Sequence, residues 1–188
     1  MSGDRASGRA AAGDGASERA AAGDGASERT AAGDGASERD WRLDGVRVVR
    51  ADELDPNTPQ TPGMSRTAAI TAARGGAEKL WAGTVVIDPN AKTGAHHHGP
   101  VESVIYVVSG RARMRWGERL EFVAEAGPGD FIFVPPYVPH QEINAAPDES
   151  LSCVVVRSGQ EPVVVNLDLP SVEADPEPVD WVDDLHGR

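Results

Sequence analysis

Four histidines stand where a fold could bring them to one metal ion: His96, His97 and His98 in an unbroken run, and His140 well downstream. On an extended chain successive side chains alternate, so His96 and His98 point one way and His97 the other. Two imidazoles on one face can share an ion, and His140 adds a third nitrogen if the fold returns its segment to the first. Glu102, four residues beyond His98, is the nearest carboxylate able to complete the set. Three imidazoles and a carboxylate with open positions suit Fe(II), Mn(II), Ni(II), Co(II) or Zn(II), and the order of affinities does not choose among them. A divalent ion so held polarises a bidentate oxygen ligand or activates dioxygen. The plainer alternative is a solvated histidine turn and, after Pro139, a lone capping histidine.

Such ligands need stiff elements to hold them. From Asp40 onward, short β-branched and aromatic runs recur about every ten residues: 46–50 (VRVVR), 80–88, 103–109, 111–116, 120–124, 131–134, 140–143, 151–157 and 163–167. Turn segments rich in Gly and Pro separate them, which is the pattern of an all-β sandwich or barrel. Residues 65–79 read as the one helical stretch, interrupted by Gly75 and Gly76, and residues 51–64 as an extended arm. The division expected is an arm and edge strand over 41–79 and a barrel over 80–169. Arg111, Arg113 and Arg115 alternate with Ala112, Met114 and Trp116, which predicts apolar side chains inward and arginines outward. Trp116, Tyr106, Phe133 and Tyr137 are candidates for a pocket wall or for plain core. Cys153, within an apolar run, reads as a small buried hydrophobe.

The two histidine segments resemble the paired motifs of the cupins, small double-stranded β-helix (jelly-roll) barrels. His96-x-His98-x3-Glu102, followed by Gly110, is similar to the first motif; Gly129, Pro135, His140 and Asn144 stand at the spacing of the second, with Tyr137 where the family has Gly. Seven residues rather than six separate Glu102 from Gly110, so counting back from Gly110 sets Ser103 in the glutamate's place and leaves a three-histidine site. The resemblance covers roughly residues 80–157. It implies an RmlC-like jelly roll with a mononuclear metal site of His96, His98, His140 and Glu102, acting on a small oxygenated metabolite. The chemistry implied is oxygenase-like (an oxidoreductase) or that of a lyase or isomerase. The alternative is a non-catalytic module that binds or senses a metal-chelating ligand. Sheet packing into a homodimer is a further implication of the resemblance.

Composition sets the limits. The 188 residues hold 30 Asp and Glu against 18 Lys and Arg, a formal charge of −12. Nucleic acid and anionic membranes are therefore not the expected partners, because both are bound through clustered Lys and Arg. Residues 1–40 are ten-residue repeats of the type AAGDGASERA, without a large apolar side chain after Met1, and are expected to be a disordered tail. Residues 170–188 form an acidic tail with Trp181 and Val182 as its one large apolar pair. No apolar run reaches the roughly 20 residues of a spanning helix, and the cytoplasm is the expected compartment. A single cysteine excludes an internal disulfide and a cysteine zinc knuckle.

Overall fold

The computed structural model describes Asp40, residues 42–43, residues 45–169 and residues 179–182. The repeats expected to be a disordered tail, Asp40 excepted, and most of the acidic tail lie outside the described residues. Ahead of Val46 the described residues make a turn, in which the Leu43 N–H donates to the Asp40 carbonyl at 2.8 Å.

From residue 46 on, alternation dominates. In β9 (Leu151–Arg157) the side chains of Leu151, Cys153, Val155 and Arg157 are buried and those between them half-buried. β9 is the centre of a five-stranded sheet that also holds β1 (Met64–Ile70), β2 (Trp81–Ile87), β4 (Ser103–Ser109) and β7 (Phe131–Val134), in the order β1-β2-β9-β4-β7. Facing it is a six-stranded sheet of β3 (His96–His97), β5 (Ala112–Trp116), β6 (Phe122–Ala126), β8 (His140–Asn144), β10 (Val165–Asn166) and β11 (Asp180–Trp181), in the order β10-β3-β8-β5-β6-β11. From β2 to β10 the chain passes between the two sheets at every step but β5–β6, and the result is the all-β jelly-roll barrel expected. Val85, Ile87, Ile105, Val107, Leu151 and Val155 from the first sheet meet Met114 and Ala112 from the second. Each large member of this core stabilises the fold by about 1.5–3 kcal/mol.

Three expectations are corrected. Residues 65–79 are not a helix: they supply edge strand β1 and a single helical turn, α1 (Ala72–Gly75). β1 pairs antiparallel with β2 from Met64↔Ile87 to Ile70↔Ala82, and the hydroxyls of Thr67 and Thr84 meet at 2.7 Å. The helix propensity of the Ala residues is worth only tenths of a kcal/mol each, less than a ladder that buries Met64 and Ala68. α1 is capped by Thr71, which accepts from the Arg74 N–H at 3.2 Å, and it ends at Gly76, φ +68°. Residues 46–50 form no strand, and Val46 is 98% exposed, so the run buries nothing that would hold it to a sheet. The run at 120–124 starts as a strand only at Phe122, because Leu120 closes a left-handed turn at φ +56°.

The arm at 51–64 is tied to β1 by reciprocal backbone bonds between Asp55 and Ala68, both 2.9 Å. Trp181 docks through β11, parallel to β6, with the Arg113 guanidinium 5.4 Å from its ring centroid. Outward-facing Arg113 also pairs with Glu125 at 2.7 Å, while Ala112 and Met114 are buried.

Candidate metal centre

His96 and His98 are buried, 6% and 4% exposed, and His97 between them is half-buried, as alternation requires. β3 pairs with β8 at the single position His96↔His140, which sets the two imidazoles side by side across the ladder. The ring centroids of His96, His98 and His140 lie 4.4–5.0 Å apart. Each ring is pinned by a backbone carbonyl on its Nδ1: Gly94 at 2.9 Å for His96, Val163 at 2.8 Å for His98 and Val138 at 2.8 Å for His140. A carbonyl only accepts, so each Nδ1 carries the proton and each Nε2 presents its lone pair to the common centre. The Nε2 of His140 is buried without a hydrogen-bond partner.

The carboxylate that joins them is Glu142. Ligand atoms of His96, His98, His140 and Glu142 all lie within 4.8 Å of one another. Glu142 stands two residues after His140 on β8, so the pleat turns both to the same face. Burial alone would raise its pKa, but charge on His96, His140, His98 and Arg66 outweighs that and holds it below the usual carboxylate value. Burial pushes the His98 pKa down to about 4, with the nearby Arg157 charge acting in the same direction, and burial lowers that of His140 too. The group offers three imidazoles, each held through Nδ1 by a backbone carbonyl, and one carboxylate, with a buried nitrogen lacking a partner among them. Those residues fit a divalent ion.

Glu102, expected to be the carboxylate, lies outside this group. It is exposed, and its N–H donates to Ser158 Oγ at 3.0 Å. Register is the reason: β4 pairs Ser103 with Val134 and Arg157, which turns Ser103, Ile105 and Val107 inward and Glu102 out. Counting back from Gly110 identifies the inward residue correctly, and Ser103 is 3% exposed with its hydroxyl unpartnered. The signal in the sequence for Glu142 is alternation through Gln141, which places it on the His140 face.

Other motif residues act as supports. Asn144, 1% exposed, donates through its amide to the carbonyls of Ile87, Asp88 and Glu149 at 2.8–3.1 Å, and its Oδ1 accepts from the Ala146 N–H at 3.0 Å. Tyr137 keeps the left-handed backbone of the family's glycine, φ +61°, and its ring lies 6.0 Å from that of His97. Cys153 is buried and its thiol is pushed up to about 12, which leaves it unreactive.

A cavity of about 450 Å³ opens beside the histidines, with His140, Met114, Trp116, Ile132, Phe133, Val134 and Val138 in its wall. Of the four aromatic candidates, Trp116 and Phe133 line it; Tyr106 and Tyr137 do not. Residues 83–157 match the family model of the cupin domain. The domain is a cupin. Solved cupin-like structures agree: the polyketide cyclase RemF from Streptomyces resistomycificus is 26% identical, with a TM-score of 0.55 over 67% of this chain and 87% of its own. A double-stranded β-helix protein from Klebsiella pneumoniae is 19% identical, TM-score 0.51, over 65% of this chain and 98% of its own. A variant of Bacillus subtilis oxalate decarboxylase is 22% identical, TM-score 0.50, over 64% of this chain and 33% of its own. Comparison with curated protein sequences gives no significant match.

Proposed function

We propose that this cupin uses a divalent ion at His96, His98, His140 and Glu142 to act on a small, largely apolar oxygenated metabolite by lyase or isomerase chemistry. The observation that carries the reading is the unpartnered Nε2 of His140 at the wall of a 450 Å³ cavity whose lining is mainly apolar, with Glu125 and Asp130 as its two carboxylates. A bound ion supplies Lewis acidity to a chelating pair of substrate oxygens. The chain's own part is to bind and to exclude water: Trp116, Met114 and Ile132 present apolar surface, and the carbonyl-pinned imidazoles keep their orientation. Likeness to a polyketide cyclase supports cyclisation-type chemistry over oxygenation.

One observation favours a binding module as the second reading. The cavity's two carboxylates are both engaged, Glu125 with Arg113 and Asp130 with the Gly127 N–H at 2.8 Å, so neither stands free as a general base. Cobalt-substituted protein titrated with benzoylacetone, an aromatic 1,3-diketone, tests both. The visible spectrum should change in the parent and not in His140→Ala; no change in the parent overturns the proposal. Conversion of the diketone, read by chromatography, marks an enzyme, and unchanged ligand marks a binding module.

We propose a homodimer formed through the outer face of the five-stranded sheet. There Phe133, Val104, Val156 and Ala82 form one row across β7, β4, β9 and β2, and Phe131, Tyr106 and Val154 form the next. Phe131 and Phe133 are 72% and 57% exposed. Strand spacing and rise give this face roughly 500 Å² in projection, of the order needed by one side of a standard interface.

A further inference from the structure

Arg157 is buried as few charged side chains are. It ends β9 on the inner face of the five-stranded sheet, in one row with Ser103 of β4 and Trp81 of β2. It is 8% exposed, its Nε is buried without a hydrogen-bond partner, and among the described residues its guanidinium has no ion pair. Its aromatic contact is Trp81, whose ring centroid lies 5.6 Å from the guanidinium carbon. That ring folds over Gly83, where a Cβ would come within 2.6 Å of it. The Glu142 carboxylate favours the Arg157 charge from a distance but forms no ion pair with it, so burial leaves Nε of the guanidinium open to a hydrogen-bonding partner from outside the chain.

The space for that partner is present. Arg157 and Arg66 line a cavity of about 330 Å³ under the arm, which shares no residue with the 450 Å³ cavity. Arg66 donates through Nη1 to the Pro59 carbonyl at 3.0 Å, and its Nε is likewise buried and unpartnered. Asp55, in the wall, is turned to other groups: its carboxylate accepts from the Asn57 N–H at 2.9 Å and lies 3.8 Å from Arg74.

We propose that Arg157, backed by Trp81 and assisted by Arg66, receives a small carboxylate ligand in this second cavity. A planar guanidinium offers parallel N–H donors that match the two oxygens of a carboxylate, and the indole face stabilises the cation from behind. The formal charge of −12 on the chain disfavours ligands of higher negative charge. This goes beyond the metal reading and does not depend on it.

The test is calorimetric titration of acetate, benzoate and succinate into the full chain, chelator-treated and zinc-loaded, with benzamide as the neutral control. In chelator-treated protein at least one carboxylate should bind, and benzoate at least tenfold more tightly than benzamide. Arg157→Met should abolish that binding, raise the melting temperature of the ligand-free protein, and leave zinc stoichiometry unchanged; Arg157→Lys should bind more weakly than the parent. If no carboxylate binds the chelator-treated parent, or if binding survives Arg157→Met, the proposal fails. A lower melting temperature for Arg157→Met also overturns it, because the guanidinium would then have a partner within the chain. Loss of zinc binding in the parent with carboxylate binding intact would count against the metal centre alone.

Discussion

Glu142 and Glu102 differ in the property that decides which can reach an ion between the histidines: the face of the strand each occupies. Glu142 shares the inner face of β8 with His140, whereas Glu102 precedes the inward Ser103 and is exposed. Glu142→Gln should therefore weaken Mn(II) or Fe(II) binding at least about tenfold by removing a hard, charged oxygen, and Glu102→Gln should leave it unchanged. Competition with a chromophoric chelator measures both, and a loss confined to Glu102→Gln would reverse the assignment. The histidines also predict a pH dependence. Burial lowers the His98 pKa from 6.5 to about 4, so between those values the unfolded chain takes up a proton that the folded one does not. The stability tied to this residue is present above pH 6.5 and is lost as pH falls toward 4. Thermal unfolding of chelator-treated protein from pH 7.5 to 4.5 should show the parent losing more stability than His98→Gln; equal slopes would refute the linkage.

At the scale of elements, Asn144 holds the end of β8 to the end of β2 and to the loop before β9. Its two amide N–H groups are shared among the carbonyls of Ile87, Asp88 and Glu149, and its oxygen takes up the Ala146 N–H. Asn144→Ala would strand these groups in the interior, at a cost of about 3 kcal/mol, since each buried polar group left unpaired costs about 1–3 kcal/mol. The midpoint of urea unfolding should fall accordingly, and a midpoint within error of the parent would show that water replaces the amide. Its place in the motif was readable, but its role was not: the carbonyls it serves are 5 to 57 residues away. The misassigned helix at 65–79 has the same origin. MSRTAAI carries no strong strand signal, and β2 decides its conformation by offering an edge.

At the scale of the whole molecule, the outer face of the five-stranded sheet is more apolar than the interior demands. A second copy placed against it by a two-fold axis would cover Phe131, Phe133, Val104 and Val108, each at least 36% exposed. Sedimentation should report a dimer for the parent and a monomer for the double variant Phe131→Glu, Phe133→Glu, with the same far-ultraviolet dichroism. A monomeric parent would remove the assignment.

Alternation belongs to the backbone pleat, and it was sufficient to place His96 with His98, to turn His97 away, and to recover the spans of β4, β7 and β9. Spacing between Gly129, Pro135, His140 and Asn144 carried the family, because turn geometry ties those residue types to those intervals. What no local rule contains is register. A shift of one residue in β4 exchanges Glu102 for Ser103 at the inner face, and the pairing with β7 and β9 determines which one is chosen. The same holds for Arg157, an unremarkable strand-end residue in sequence. Its unpartnered Nε appears only when the neighbouring strands have set Ser103 and Trp81 beside it, because pairing depends on distances between segments far apart in the chain.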